Sequence, residues 1–171
     1  MSQERIPVWS PMEFLAERSR SFGVVRSSLL CVLVSVPIAS LVAVTANVLW
    51  PSNRTDLDSM NVPEMVLLAI LIGPLIETIF FQLLIGTAIK SFVESLTARL
   101  VVISIPFALS HFLIGTSSGL SAGIVGGILF GFLFITWQEI STKRAFTATV
   151  LAHCLHNSII LLADHFFGLP N

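Results

Sequence analysis

Four side chains that can carry acid–base chemistry lie within the most apolar parts of this sequence: Glu77, His111, His153 and Asn157. Glu77 is near the middle of an apolar segment at 64–88. His153 and Asn157 are four residues apart, so they share one face of a helix. A carboxylate deep in hydrocarbon is costly unless it faces a protein interior, so a Glu in this position indicates a functional site.

The residue types suggest hydrolysis by an activated water molecule. A Glu and a neutral His can hold one water and remove its proton, and the water then attacks a carbonyl carbon. His153 and the Asn157 amide can donate hydrogen bonds to the oxyanion that develops in that attack. His156, beside Asn157, lies on the adjacent surface of the same helix.

Two other kinds of site fit the same residues. Glu77, His111 and His153 can serve as three zinc ligands, with a water molecule as the fourth. Glu and His side chains near the membrane midplane also form proton or cation relays. Spacing and residue type alone leave the hydrolase, the zinc site and the relay open.

The composition is that of an integral membrane protein. Of the 171 residues, 54% are hydrophobic and 11% are charged, with a mean hydropathy of +0.90, whereas a soluble domain has about 25% charged residues. No Asp, Glu, Lys or Arg occurs between Arg99 and Glu139. That stretch is too long for one crossing, since about 20 residues span the bilayer core. The net charge of -1 gives no indication of nucleic-acid binding, and the apolar composition predicts contact with the lipid bilayer.

Hydropathy predicts an all-α, polytopic transmembrane helix bundle of about five spans. The predicted spans are 27–49, 64–88, 99–114, 119–137 and 145–163. Ahead of them, Ser10-Pro11-Met12-Glu13 has the pattern of a capping box with Pro at the first helical position, which predicts a short interfacial helix. We divide the chain into a cytoplasmic or interfacial segment, 1–26, and a single transmembrane domain, 27–171.

The basic residues predict the orientation of the bundle. With a cytoplasmic N-terminus, eight of the nine Lys and Arg residues lie at cytoplasmic ends of the spans, and only Arg54 lies outside. The eight are Arg5, Arg18, Arg20, Arg26, Lys90, Arg99, Lys143 and Arg144. The C-terminus is then outside, and the compact topology favours a bacterial cytoplasmic membrane.

This topology places the candidate residues at similar depth. Glu77, His111 and His153 lie roughly 12 to 18 Å from the cytoplasmic face at 1.5 Å per residue, which is near the midplane. Polar groups on three different helices can meet only where their depths agree. We therefore expect these three side chains to converge.

Four glycines recur at every fourth position of the fourth predicted span: Gly119, Gly123, Gly127 and Gly131. Small residues at this spacing let a second helix approach closely. We interpret this glycine face as a packing surface, which either holds the site-bearing helices together or forms the seam of a homo-oligomer.

The polar motifs resemble those of the CPBP family of intramembrane proteases, also called the CAAX-protease and bacteriocin-processing or Abi family. The first family motif, E-E-x-x-x-R, corresponds to residues 77–82; the second, F-x-x-x-H, to 107–111; and the third, H-x-x-x-N, to 153–157. The motifs occur in this order on successive spans that carry polar residues. The resemblance covers roughly residues 64–163, which we take as the protease-like core.

The resemblance implies a glutamic-type intramembrane endopeptidase that cleaves a membrane-inserted or lipidated protein or peptide. By carry-over of the motifs, Glu77 and His111 activate the water, while His153 and Asn157 bind the oxyanion. No cofactor is implied. In the metalloenzyme alternative, Glu77, His111 and His153 would hold zinc.

Two positions depart from the family pattern. Thr78 stands where the family has a second Glu, and Gln82 stands where it has an Arg. At four residues apart these would form an ion pair along the helix, and both charges are missing together, so neither remains unpaired. We predict a neutral hydrogen-bonded pair in their place, with the chemistry of Glu77 retained. The opposing hypothesis is a non-catalytic relative, a membrane scaffold or immunity-type protein that keeps the fold.

Overall fold

The computed structural model describes residues 10–50 and 62–167. All regular secondary structure within these two ranges is helical, so the predicted all-α class is confirmed. Arg5 and Arg54, which contribute to the predicted orientation, lie outside the described residues, as does the segment 168–171. We number the helices in chain order: α1 (Pro11–Ser21), α2 (Gly23–Leu49), α3 (62–90), α4 (Leu96–Phe112), α5 (Thr116–Gln138) and α6 (Thr142–Phe167).

Four of these helices are long and apolar enough to cross a membrane: α2, α3, α5 and α6. They correspond to four of the five predicted spans. The remaining predicted span is α4, an apolar helix of 17 residues, which is at the short end of the range that crosses the hydrocarbon core. The chain is therefore an integral membrane protein built as a helical bundle.

The first helix begins where its capping box predicts. The Ser10 hydroxyl accepts from the Glu13 backbone N–H at 3.2 Å, and the Glu13 carboxylate accepts from the Ser10 backbone N–H at 2.8 Å. That backbone hydrogen bond lowers the pKa of Glu13. Ala16 is fully buried against the bundle, whereas Phe14 faces outward. The helix is thus docked on the bundle and presents apolar side chains away from it, as an interfacial helix would.

The helices α2 and α3 form an outer wall, and α5 lies at the centre of the bundle. Most of α5 is buried, whereas α2 and α3 turn wide apolar faces outward, with side chains such as Leu33, Val48 and Phe80. Large buried core side chains come from α4, which contributes Phe107, and from α5, which contributes Phe130, Phe134 and Trp137. In a membrane the outward faces contact lipid, so they need no polar cover.

The glycine face of α5 packs against α4. A Cβ at Gly123 would lie 2.9 Å from the Ala108 carbonyl oxygen, and one at Gly127 would lie 3.1 Å from the Ser104 carbonyl oxygen. Only glycine allows this close approach of two backbones. The face therefore serves the intramolecular packing that we expected, and it supports the helix that carries His111. A homo-oligomer through the same face stays a prediction, and it would require α4 to be displaced.

A polar cluster joins the ends of α3, α4 and α5 at one face of the bundle. The Arg99 guanidinium, almost fully buried, donates to the Glu139 carboxylate at 2.7 Å and to the Gln138 side chain at 2.5 Å. The Lys90 ammonium donates to the Gln138 carbonyl at 2.9 Å. Partial burial raises the pKa of Glu139, but the hydrogen bond and charge of Arg99, with Lys90, outweigh this and leave it below its ordinary value. These contacts fix the ends of three helices.

Candidate active site

Glu77, His111 and His153 converge in the interior of the bundle from three helices, α3, α4 and α6. The Glu77 Oε2 atom lies 3.8 Å from His111 Nε2 and 3.6 Å from His153 Nε2. Both distances are too long for direct hydrogen bonds. A small molecule such as water can lie beside each of these gaps, within hydrogen-bond distance of the atoms on both sides.

The Phe107 residue holds His111 in place in two ways. His111 Nδ1 lies 3.0 Å from the Phe107 carbonyl oxygen, one helical turn earlier, and the Phe107 ring stacks on the imidazole at a centroid distance of 4.6 Å. A carbonyl only accepts, so a neutral His111 carries its proton on Nδ1 and presents a lone pair at Nε2. The spacing of the F-x-x-x-H motif thus fixes both the ring plane and the tautomer.

The site therefore places two proton acceptors opposite each other. An ionised Glu77 carboxylate accepts only, and so does Nε2 of neutral His111. Two acceptors cannot hydrogen-bond to each other, so a donor has to lie between them. A water molecule has two O–H groups and can donate one to the carboxylate oxygen and one to the imidazole nitrogen. The arrangement suits a water molecule whose proton is to be removed.

His153 is oriented by an aromatic residue that the sequence analysis missed. The Phe130 ring, from α5, stacks on the His153 imidazole at a centroid distance of 4.5 Å, and the Phe107 ring lies 5.9 Å away. His153 Nδ1 has no hydrogen-bond partner within the described residues. The signal in the sequence that could have pointed to Phe130 was its position directly before Gly131, within the glycine-rich helix.

Asn157 lies one turn beyond His153 but is tied to α3. Its side-chain amide donates to the Ala69 carbonyl at 2.8 Å. The segment Val66–Ile72 of α3 is π-helical, with hydrogen bonds from residue i+5 to residue i. In this pattern the residue that would donate to the Ala69 carbonyl is Pro74, which has no N–H. Asn157 satisfies the carbonyl that Pro74 leaves free, so one of its two N–H groups remains for an oxyanion.

The predicted hydrogen bond between Thr78 and Gln82 is wrong. Both side chains are fully buried, yet neither the Thr78 hydroxyl nor the Gln82 amide has a hydrogen-bond partner in the part of the chain that the structure describes. The segment Thr78–Ile85 is π-helical, so residues four apart do not stand in the register that an α-helix would give them. Both groups are neutral, and no unpaired charge is buried there.

No group of three or more metal-binding side chains in the described ranges is arranged to hold a metal ion. The zinc alternative for Glu77, His111 and His153 stays a prediction. Donor atoms that lie about 2.0–2.2 Å from a tetrahedral zinc ion are roughly 3.3–3.6 Å from one another, so the separations of 3.6 Å and 3.8 Å between the carboxylate and the two imidazole nitrogens do not decide for or against zinc.

Access to the site is from the side of α3. The Glu77 side chain is 30% exposed, against 11% for His111 and 4% for His153. The Glu77 Oε2 atom that faces the imidazoles is itself buried. Its neighbours Ile76 and Phe80 lie on the outward apolar face of α3. A molecule reaching the carboxylate therefore passes an apolar surface.

Comparison with known proteins identifies a family. The family model described as type II CAAX prenyl endopeptidase Rce1-like matches residues 60–159, more than half of the chain, and the matched range contains all three motifs. The helices α1 and α2 lie outside it. No curated protein and no solved structure matches the chain. The chain belongs to the Rce1-like type II CAAX prenyl endopeptidase family, a group of membrane proteases, in agreement with the resemblance of its motifs.

Proposed function

We propose that this protein is an active intramembrane endopeptidase in which Glu77 is the general base. The observation that carries the proposal is the position of Glu77 Oε2, within 3.8 Å of two imidazole nitrogens on two other helices. In an apolar bundle, such a convergence of polar groups is costly unless it has a function. Family membership supports peptide-bond hydrolysis as that function.

The proposed reaction begins with a water molecule between Glu77 and His111. Glu77 removes a proton while the water oxygen attacks the peptide carbonyl carbon, and the carbonyl electron pair moves to its oxygen. His153 Nε2–H and the remaining N–H of Asn157 donate to that oxyanion. As the tetrahedral intermediate collapses, the C–N bond breaks and protonated Glu77 returns its proton to the leaving amine. No cofactor takes part in these steps.

We propose a membrane-inserted or lipidated protein or peptide as the substrate. The partly exposed Glu77 beside the outward apolar residues of α3 supports this class, since an apolar segment or lipid chain can approach there from the bilayer. Substrate entry through lipid also places the scissile bond near the depth of the site.

We propose that the N-terminus is cytoplasmic, the C-terminus is outside, and the protein resides in a bacterial cytoplasmic membrane. The polar contacts at one end of the bundle support this orientation. Arg20 donates to the Thr136 carbonyl at 3.4 Å, which brings α1 to the same end as Lys90 and Arg99. Basic residues gathered at one end are typical of a cytoplasmic face.

A second candidate function is that of a non-catalytic membrane scaffold or immunity-type protein. The observation that favours it is the pair of buried side chains at Thr78 and Gln82, where the family motif has charges and where neither side chain has a hydrogen-bond partner among residues 10–50 and 62–167. A relative under no selection for activity would tolerate this loss, whereas the retained Glu77 and both histidines favour catalysis.

A comparison of protein termini distinguishes the two functions. Cells carry either the wild-type chain, Glu77→Gln or the control Glu94→Gln, which lies in the exposed connection after α3. New termini of membrane and exported proteins are mapped by mass spectrometry, and the membrane abundance of each variant is measured. If new termini are missing only from the Glu77→Gln strain, while the membrane abundance of all three proteins is equal, the chain is a protease and the missing termini identify its substrate. Identical termini in all three strains contradict it.

A further inference from the structure

One buried histidine close to the site has no role in the reaction above. His156 is buried, and its Nδ1 atom lies 2.8 Å from the Ser35 hydroxyl, which is fully buried on α2. The helix α2 lies outside the range that matches the family. This hydrogen bond therefore connects the site-bearing helix α6 to a part of the chain that the family match does not cover.

Two consecutive residues of α6 attach it to two different helices. His156 bonds Ser35 on α2, while Asn157 donates to the Ala69 carbonyl on α3. His153 lies one turn earlier on the same helix, and its Nε2 atom faces Glu77 of α3. The position of α6 between its neighbours, which sets the separation of His153 and Glu77, is thus fixed from both sides at this level of the bundle.

The Phe130 ring transmits the placement of His156 to His153. It stacks on the His153 imidazole at 4.5 Å with an angle of 30° between the planes, and it meets the His156 imidazole edge-on at 5.6 Å and 84°. Phe130 is itself almost fully buried, so it cannot move without its neighbours. Without the Ser35 hydrogen bond the His156 ring is held by packing contacts such as that with Phe130, so a change in its orientation would be passed through Phe130 to the plane of His153.

We propose that Ser35 and His156 are positioning residues for His153. The Ser35 hydroxyl holds the His156 ring, this ring and Phe130 hold the His153 ring, and His153 is thereby directed at the oxyanion that forms beside Glu77. The proposal rests on the proposed function for its catalytic consequence. Its structural part, that Ser35 determines the orientation of His153, stands on the contacts alone.

A second bond between the same two helices provides a matched control. The fully buried Ser28 hydroxyl donates to the Ala148 carbonyl at 2.9 Å, about two turns before Ser35 on α2. Ser28→Ala and Ser35→Ala remove the same chemical group from the same interface, and only the latter touches a residue next to the site. His156→Asn retains a hydrogen-bonding atom near the position of Nδ1, whereas His156→Leu removes it.

The experiment combines imidazole ¹⁵N NMR of the purified full-length chain in nanodiscs with kinetics on a substrate whose cleavage depends on Glu77. We expect Ser35→Ala to shift the ring signals of both His156 and His153, and to lower kcat about tenfold with KM nearly unchanged, since a small misplacement of a catalytic group costs rate. Ser28→Ala leaves the His153 signals and kcat as in the wild type. His156→Asn recovers most of the kcat that His156→Leu loses.

Three results would overturn the proposal. They are unshifted His153 signals in Ser35→Ala, an equal loss of kcat in Ser28→Ala and Ser35→Ala, or no difference between His156→Asn and His156→Leu. If the wild-type chain shows no Glu77-dependent cleavage, the proposed function fails, and the NMR comparison of the two serine variants still decides whether Ser35 positions His153.

Discussion

The two sides of the site are built differently. His111 and His153 lie on α4 and α6, where stacked rings and close glycine contacts determine their orientation. Glu77 lies on α3, which faces outward, contains two π-helical segments and buries two polar side chains without hydrogen-bond partners among the described residues. The imidazoles are thus preorganised by packing, whereas the carboxylate is carried by an irregular helix that leaves it partly exposed.

This difference assigns separate tasks to the two sides. Preorganised donors lower the barrier because they need no reorientation during the reaction. Irregular helical turns occur often at functional sites, and the wider turn moves side chains and carbonyls out of α register. In α3 one such segment ends at Ile72, two residues before Pro74, and supplies the carbonyl that Asn157 binds. Variants on each side should therefore fail in different ways.

The largest effect is expected from placing a charge in the α3 wall. Gln82→Arg buries a guanidinium where the described chain offers no partner, which costs about 3–5 kcal/mol of stability, so the variant should accumulate poorly in the membrane. The double variant Thr78→Glu/Gln82→Arg adds a carboxylate to the same segment, and because Glu and Arg are longer than Thr and Gln they can meet outside α register, so it should recover part of the loss. Thermal unfolding in detergent measures both. A Gln82→Arg protein with normal stability and activity would refute the electrostatic argument.

A smaller effect is expected where the glycine face supports His111. Gly123→Ala puts a methyl group 2.9 Å from both the Ala108 carbonyl oxygen and His111 Cβ, and overpacking of this kind costs about 1–3 kcal/mol. The control is Gly115→Ala, where a Cβ meets nothing within 4 Å. Thermal unfolding should separate the two variants, and equal stabilities would show that α4 and α5 are not closely packed at this point.

A more selective effect is expected at the aromatic residue that stacks on His153. Phe130→Leu and Phe134→Leu both shorten a buried ring of α5, and each should cost roughly 1 kcal/mol of stability. Of these two rings, Phe130 is the one that stacks on His153, so Phe130→Leu but not Phe134→Leu should lower kcat beyond what the loss of folded protein explains. Kinetics normalised to folded protein test this. Equal kcat values would mean that the stack does not orient the imidazole.

The smallest effect is expected from pH at the polar cluster of Arg99, Glu139 and Lys90. The folded-state pKa of Glu139 lies below its ordinary value, so its pair with Arg99 contributes stability above the unfolded-state pKa and loses it as pH falls through the folded-state pKa. The wild type should therefore lose more stability than Glu139→Gln between neutral and acidic pH. Unfolding curves at several pH values measure this. Parallel pH profiles would contradict the assigned pair.

The sequence was sufficient to predict the features that depend on residue type and spacing. The capping box at Ser10, the apolar limits of α2 and the common depth of Glu77 and the two histidines all follow from local pattern. These are properties of one helix, or of several helices measured from the same membrane face. They can therefore be predicted without knowledge of how the helices pack against one another.

The remaining features depend on contacts between helices. Phe130 and Ser35 look like ordinary apolar and small residues of a span, and only the packed bundle brings them to His153 and His156. The π-helical register of Thr78–Ile85, which separates the side chains expected to pair, is likewise absent from the spacing of polar residues. Such properties emerge from tertiary packing, which residue spacing does not report.

The most direct test asks whether Glu77 and His111 act on one water molecule as a unit. The measurement is kcat of purified Glu77→Gln, His111→Gln and the double variant on the substrate identified by its Glu77-dependent termini, with folding of each variant verified. Residues that act as a unit give strongly non-additive losses, so the double variant should be no slower than the slower single variant. Additive losses, or full activity in Glu77→Gln, would contradict the account.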